Sequence, residues 1–599
     1  MSKELVMGNA AIAYGAIKAG VNMVAGYPGT PSTEVLETVA KHNPGDIYVE
    51  WSVNEKAALE VAAGASYSGA RTMVTMKQVG LNVASDPLMS LNYVGIKGGM
   101  VIVVADDPGP ISSQTEQDTR HFAQFAKMIV FDPSSPKEAY EMIQDAFSYS
   151  EKYGKPVIFR PTTRVCHGYQ TIDLSGDRYL NHPEGFIKDP SRWVIFPKLS
   201  YTNHKKLEKM MVDASEDLSD YRFNQVTGNG IRGIAASGVS YEYVREVLGN
   251  RTDVKLFKVA TANPFPERLA LQFLEGVSEV LVLEELDPVI ERELTYLCGK
   301  HHIIGTKILG KLTGNNVNAG ENTVAAIASS IASFLGEELP QDHEFPETPQ
   351  LPVRPPVLCA GCPHRASFYA VKQAMKGKKA VFCGDIGCYT LGNAKPLDMC
   401  DTCLCMGADV TITQGIHRIE PDTYNFAFIG DSTFFASGMT GIVNAVYNQA
   451  EMTLVVLDNS TTAMTGHQPH PGTGVTMMGD IVNKVSIEKI LKAIGLETVV
   501  TADPLKLDTA IETVREVTEK PGVKAIIFKS PCVAISKPQT PVTIDHERCI
   551  NCRKCINEIG CPAIVLKDGR ASIESSQCFG CGVCTYLCPV HAIEKGGRK

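Results

Sequence analysis

Near the carboxyl end of the chain stand two runs of cysteine, Cys549-x-x-Cys552-x-x-Cys555 and Cys578-x-x-Cys581-x-x-Cys584, each followed by a more distant Cys-Pro pair, at Cys561 and Cys588. Thiolates at this spacing curl around one face of a cubic cluster, and the distant thiolate serves the other cluster of the pair. The pattern predicts two [4Fe–4S] centres, one on Cys549, Cys552, Cys555 and Cys588 and the other on Cys578, Cys581, Cys584 and Cys561. Tetrahedral zinc is the rival chemistry for C-x-x-C pairs. Zinc uses two pairs per site, whereas two triplets here each lead to a Cys-Pro. In the first run, five residues rather than three precede the last Cys; an inserted pair such as Glu558-Ile559 is read as lengthening a loop without moving the ligands.

A second group of residues offers oxygen. A predicted strand at 426–429 runs into Gly430-Asp431-Ser432, and another at 454–457 ends at Asp458-Asn459. If both strands lie in one parallel sheet, Asp431 and Asn459 meet at its carboxyl edge, where ligands bind. Mg²⁺ takes octahedral oxygens and keeps phosphate oxygens in its shell, so a carboxylate, an amide and a nearby carbonyl make a diphosphate clamp. Two ordinary strand-end turns would look the same, because Asp and Asn favour turns.

These residues need elements to hold them. A chain of 599 residues is far longer than an electron carrier needs and predicts roughly four domains at about 150 residues each. Its formal charge of −9 argues against nucleic acid or an anionic membrane surface as partner. The amino-terminal segment lacks the basic and apolar regions of a leader, and no run approaches a membrane span, so a cytoplasmic protein is expected. The 18 cysteines are then read as ligands or reduced thiols rather than disulfides. Short β-branched runs such as 100–104 and 280–283 alternate with helical stretches such as 54–68, the pattern of parallel α/β units. Proline-rich segments at 339–356 and 531–541 divide the chain, and the polar stretch 179–224 reads as a connector.

Several segments resemble one enzyme family. Gly430-Asp431-Ser432 with Asn459 is similar to the GDG…N motif of thiamine-diphosphate enzymes, with Ser432 at the second glycine. By that motif Asp431, Asn459 and the backbone oxygen of Thr461 are the Mg²⁺ ligands. Met464-Thr465-Gly466-His467-Gln468 resembles the MTGGQ segment of 2-oxoacid:ferredoxin oxidoreductases, with His467 replacing a glycine. Gly26-Tyr27-Pro28-Gly29-Thr30-Pro31-Ser32 resembles the YPITPS element, which implies Thr30 as a contact for the substrate carboxylate. Together with Cys359-Ala-Gly-Cys362-Pro-His364-Arg365, Gly384-Asp385-Ile-Gly-Cys388 and the cysteine tail, the whole chain is similar to the large (alpha) subunit of indolepyruvate:ferredoxin oxidoreductase.

The resemblance implies an α/β multidomain architecture: a thiamine pyrimidine-binding domain at 1–190, a transketolase-C-like domain at 225–338, a thiamine diphosphate and Mg²⁺ domain at 357–535, and a two-cluster ferredoxin-like α+β domain at 542–599. Glu55, which opens a helix of small residues, matches the carboxyl that serves the aminopyrimidine, with Glu50 and Glu60 as alternatives; a solvated helix-start carboxylate would look the same. Cys359, Cys362, Cys388 and Cys532 match a third cluster beside the thiamine, although free thiols are also common small core residues. Cys383, Cys400, Cys403 and Cys405 stay unassigned, and Cys166 and Cys298 read as core. Among His364, His417, His467 and His470, His467 is placed best for acid–base work. Arg120 could pair a substrate carboxylate or a coenzyme A phosphate, or form a surface salt bridge.

The implied activity is oxidative decarboxylation of an aryl 2-oxoacid such as indolepyruvate to acyl-coenzyme A with reduction of ferredoxin, in a hetero-oligomer with a smaller beta subunit. A pyruvate or 2-oxoglutarate enzyme and a non-catalytic electron-transfer subunit are the alternatives.

Overall fold

A computed structural model describes residues 3–338, 351–352 and 354–596, in two compact units divided at residues 348 and 349. Most of the proline-rich connector at 339–356 lies outside the described residues.

The first unit is built on two larger sheets and also holds an antiparallel pair, Lys3–Met7 with Tyr169–Asp173. Six parallel strands run in the order Tyr48–Trp51, Met23–Gly26, Thr72–Lys77, Met100–Ala105, Val157–Phe159 and Val130–Phe131. Every residue of Met100–Ala105 is buried, as expected of a strand covered on both faces. The helix Glu55–Tyr67 starts where the Asn54 side chain accepts the Ala57 N–H at 2.8 Å, satisfying one of the first-turn donors. Its buried face is mostly small, with Ala58, Ala62, Ala63 and Ser66, so the helix lies close to the sheet. The second sheet has five strands, Lys307–Leu309, Glu279–Leu283, Arg232–Ala236, Lys255–Lys258 and Gln225–Thr227, the last antiparallel.

The stretch 179–224 is not a simple connector. It holds a helix, Pro197–Ser219, whose Leu207, Met210, Ala214 and Leu218 are buried at helical spacing. The polar residues of the remaining turns hide that stripe in the sequence.

Arg120 departs from both readings made of it. It is fully buried, with Nε donating to Asp118 at 2.9 Å, Nη1 to Glu284 at 2.7 Å and Nη2 to Asp118 at 2.6 Å and the carbonyls of Glu285 and Asp287. Arg160 beside it pairs Asp106 and Asp132. Losing one partner would strand a buried charge at a cost of about 3–5 kcal/mol; Arg120 is thus a structural tie between the two sheet layers and is not presented to a ligand.

The second unit carries five parallel strands in the order Ala380–Cys383, Tyr424–Gly430, Met452–Asp458, Val523–Lys529 and Thr498–Ala502. The tail adds an antiparallel pair, Val542–Ile544 with Ile593–Lys595, and a hairpin, Ile564–Lys567 with Arg570–Ile573. The inserted pair does more than lengthen a loop. Ile559 is buried in the same core as Phe368 and Phe428, with Val583 and Leu587, and the Tyr369 hydroxyl donates to Glu558. The tail and the sheet therefore share apolar packing. Among the described residues no helix is long and apolar enough to cross a membrane.

Candidate active site

Two adjacent strands of the second unit bring the oxygen ligands together. Tyr424–Gly430 delivers Asp431 to the start of a helical run in which Phe434–Gly438 is a π-turn, a distortion frequent at functional sites. A Cβ on Gly430 would lie 2.5 Å from the Tyr389 ring, so close approach requires glycine there. Asp431 is buried; Oδ1 accepts the Ser432 N–H at 2.9 Å and Oδ2 accepts the Ser460 N–H at 2.7 Å. That last bond joins the two loops. Asn459 Oδ1 accepts the Thr461 N–H at 3.2 Å, while its Nδ2 lies 3.2 Å from His364 Nε2. Asp431, Asn459 and Thr461 supply hard oxygens of the kind Mg²⁺ takes; the donor set fits the group.

The histidines are arranged differently from the expectation. His467 is exposed and sits at φ +69°, in the left-handed region that favours glycine, which explains why the resembled motif has glycine at this position. The turn around it is closed by Thr462 N–H to Gln468 O at 3.0 Å and by Thr465 with Gln468 at 2.6 Å. The imidazole at the loop is that of His470, whose Nε2 is 3.1 Å from Asp431 Oδ2. His364 is buried, which pushes its pKa down to about 4 and keeps the ring neutral.

Behind the loop lies a polar support that motif reading left without a role. Asp385 accepts from the Ile386 and Gly407 N–H groups and, at 2.8 Å, from the Tyr389 hydroxyl, which is also 3.1 Å from Thr433 Oγ1. Burial pushes Asp385 up to about 6. The adjacent Asp385-Ile-Gly387 segment was legible as a motif, but the hydrogen bond that makes Asp385 a brace depends on Tyr389 turning back beneath Gly430.

In the first unit, Glu55 is only partly covered overall, yet its carboxyl points inward: a Cβ on Gly80 would meet Glu55 Oε1 at 2.4 Å. Burial pushes its pKa up to about 7 against the opposing pull of its own backbone N–H and Lys77. Glu60 instead forms an exposed pair with Lys56, and Glu50 accepts from Tyr48 at 3.0 Å and Ser52 at 2.6 Å. Lys77, which sequence reading passed over, lies against Gly29 and donates to the Ser112 carbonyl at 3.1 Å, and Ser112 in turn donates to Thr30 O at 3.2 Å. Thr30, Lys77 and Glu55 thus gather on one side of the first sheet.

The thiols form sets. One cavity is lined by Cys561, Cys578, Cys581 and Cys584, with Cys362 also at its wall, and a second by Cys549, Cys552, Cys555 and Cys588. Each cavity thus gathers the tail thiols that the crossed partition assigns to one cluster. Among the described residues no three His, Cys, Asp or Glu side chains converge on a point fit for a single metal ion; ligands of a polynuclear cluster stand farther apart, around a void. Cys388 is pushed up to about 11 by burial and then by the neighbouring Cys532 and Cys359, which places these three together, with Cys362 beside Cys359. The Cys532 N–H donates to the Asn459 carbonyl at 2.9 Å. Cys383 is buried and Cys403 and Cys405 are exposed.

Comparison with known proteins follows these two regions. Residues 14–202 match the family described as pyruvate flavodoxin/ferredoxin oxidoreductase, thiamine diP-bdg, and residues 385–528 match the C-terminal TPP binding domain of thiamine pyrophosphate enzymes. Both matches point to thiamine, so the molecule is a thiamine-diphosphate oxidoreductase. Indolepyruvate oxidoreductase subunit IorA of Methanothermobacter thermautotrophicus is 41% identical over 611 residues, covering 100% of this chain and 98% of that protein, and IorA of Archaeoglobus fulgidus is 39% identical, covering 99% and 97%. The chain belongs to the IorA family. Among solved structures, 2-oxoglutarate:ferredoxin oxidoreductase from Magnetococcus marinus, with 2-oxoglutarate, coenzyme A and succinyl-CoA bound, is 21% identical with a TM-score of 0.42 over 51% of this chain and 62% of that one.

Proposed function

We propose that this chain is the catalytic, iron–sulfur subunit of an enzyme that oxidatively decarboxylates aryl 2-oxoacids such as indolepyruvate to their acyl-coenzyme A thioesters, passing two electrons to ferredoxin in a hetero-oligomer with a smaller subunit. One contact carries the reading: Asn459, a ligand of the proposed Mg²⁺ site, accepts the Cys532 N–H on its backbone and faces His364 of the Cys359-x-x-Cys362 segment with its side chain. Oxygen donors for the cofactor and thiols for its electron acceptor are thus neighbours within one unit.

Thiamine diphosphate, when bound, supplies the electron sink that lets a 2-oxoacid lose CO₂. The residues do the rest. Asp431, Asn459 and the Thr461 carbonyl would hold Mg²⁺, whose charge would serve the diphosphate. Asp385 and Tyr389 fix the backbone beneath Gly430. Glu55, poised near neutrality, keeps a proton available to the aminopyrimidine nitrogen, as a general acid must. Thr30 and Lys77 offer a hydroxyl and a cation for the substrate carboxylate. Cys359, Cys362, Cys388 and Cys532 hold the first cluster, and the two tail sets hold the next two.

The test is anaerobic co-purification with the smaller subunit, followed by ferredoxin reduction with indolepyruvate, phenylpyruvate, pyruvate and 2-oxoglutarate in turn. Aryl substrates should give the higher kcat/KM. Faster turnover of pyruvate or 2-oxoglutarate would replace the substrate assignment, and reduction that needs no coenzyme A would replace the product.

A further inference from the structure

Arg365 follows the Cys359-x-x-Cys362 segment on the helix Pro363–Ala374 and is only 6% exposed. Its Nη1 donates to the carbonyls of Ile559 at 2.7 Å and Gly560 at 2.8 Å, and its Nη2 to the carbonyl of Leu358 at 2.5 Å. Gly560 immediately precedes Cys561, and Leu358 immediately precedes Cys359. One guanidinium therefore ties the backbone ahead of a thiol in each of two different sets. The Cys359 loop also approaches the other run of the Cys561 set: a Cβ on Gly361 would lie 2.4 Å from Phe579 Cβ, beside Cys578.

A buried guanidinium needs its charge answered, because desolvation of an unpaired cation costs several kcal/mol. The ionisable groups that face it are the cysteines Cys561, Cys362, Cys359 and Cys581; burial favours the neutral thiol at Cys362 and Cys581, and all four would carry negative charge as cluster ligands. Its Nε–H is buried with no acceptor, and the side chain lines the cavity ringed by Cys561, Cys578, Cys581 and Cys584. An orphaned buried donor is uncommon and calls for a partner the protein chain does not provide.

We propose that Arg365 is a positioning residue shared by two neighbouring clusters, fixing the loops that carry Cys359 and Cys561 and donating its Nε–H to a sulfur of the cluster on Cys561, Cys578, Cys581 and Cys584. It rests on the reading that these thiols hold clusters. A cation and a hydrogen bond at a cluster sulfur favour the reduced, more negative state. The tail cluster is thereby made the better acceptor, and electrons are drawn from the thiamine side toward the tail.

The experiment is a redox titration followed by electron paramagnetic resonance on the anaerobic two-subunit enzyme, wild type against Arg365→Lys and Arg365→Met, with iron and thiamine content measured alongside. The signal lost in Cys581→Ser identifies the cluster in question. In Arg365→Met its reduction equilibrium constant should fall by about tenfold or more, the effect of losing one hydrogen bond from a charged donor, while Arg365→Lys, which keeps the charge, should shift it less. An unchanged potential in Arg365→Met, or equal shifts in both variants, overturns the proposal. If Arg365→Met loses the cluster outright, Arg365→Lys decides: a cluster retained at a lowered potential supports the lost Nε–H contact, whereas a wild-type potential, or loss of the cluster here too, overturns the proposal. Wild-type protein with about eight irons instead of about twelve would remove the cluster on Cys359 and overturn the sharing; wild-type protein without iron overturns the proposed function as well.

Discussion

The cysteine tail and the thiamine loop are both ligand cages in the same unit, but they are assembled in opposite ways. Each tail cavity takes three of its four tail thiols from one short turn, and only Cys561 and Cys588 cross over, with Cys362 at the wall of the first. The thiamine loop takes Asp431 from one strand end, Asn459 from the next and a brace from Asp385 and Tyr389 on a third segment. In the tail, sequence spacing is itself the geometry. In the loop, geometry exists only after the parallel sheet has formed. A substitution should accordingly act locally in the tail and spread in the loop.

The largest effect is expected at the loop. Asp431→Ala removes the charged group of the proposed Mg²⁺ site and also the acceptor that joins the two loops through Ser460, so thiamine retention should fall at least about 100-fold, beyond what loss of a supporting contact costs. Gel filtration with cofactor analysis measures it. Stoichiometric thiamine in this variant would move the diphosphate away from Asp431 and end the comparison.

Next comes the tail, where the crossed partition can be broken directly. Cys561→Ala should abolish the same resonance signal as Cys578→Ala, and Cys588→Ala the same signal as Cys549→Ala, each with loss of about four irons and with thiamine content unchanged. Pairing of Cys561 with Cys549 instead would show that each run closes on its own Cys-Pro. Removing the whole tail is a poorer test than it looks from sequence, because Ile559, Val583 and Leu587 belong to the core beneath the thiamine sheet.

Those two cases also mark what was legible. The tail thiol sets and the meeting of Asp431 with Asn459 could be read from types and spacing, because turns and strand ends are local events; Glu55 came only from the resemblance, since a solvated helix-start carboxylate looks the same in the sequence. Arg120 could not: its exposure is decided by Glu284, which is remote in sequence and reaches it through sheet packing. His470 and His467 are alike on paper. The φ of +69° turns His467 outward, while His470, past the turn, comes back to Asp431. The helix Pro197–Ser219 was missed because its apolar stripe is narrow among lysines and glutamates.

A smaller effect on structure but a large one on rate is expected of Glu55→Gln. Turnover should fall by roughly 10²–10⁴, the range for removing a proton-transfer group, with thiamine content nearly unchanged. Stability should move the other way. A carboxyl with its pKa raised to about 7 binds a proton more tightly folded than unfolded, so its ionisation above pH 7 destabilises the fold. Below the ordinary carboxylate pKa both states are protonated and the penalty vanishes. The cofactor-free variant should therefore be more stable than wild type at pH 8, by on the order of 2–3 kcal/mol, with the gain shrinking as pH falls through 7 toward 4.5. A pH-independent difference in denaturant midpoint would show that Glu55 is solvated and return the role to Glu50 or Glu60.

The smallest effect sharpens the comparison within the loop itself. His467 is exposed in a left-handed conformation that costs an L-residue about 1–2 kcal/mol, whereas glycine adopts it freely at some entropic cost in the unfolded chain. His467→Gly should thus raise stability by about 1 kcal/mol or less and leave kcat within about twofold, since removing a true acid–base group costs roughly 10²-fold or more. His470→Ala, by contrast, takes away the group 3.1 Å from Asp431 and should weaken thiamine retention by about tenfold, as loss of an outer contact to a metal ligand does. Steady-state rates and thiamine titration on the two variants decide between them. If His467→Gly proves the slower enzyme, the exposed imidazole meets substrate after all, and the strain at its backbone is the cost of holding it there.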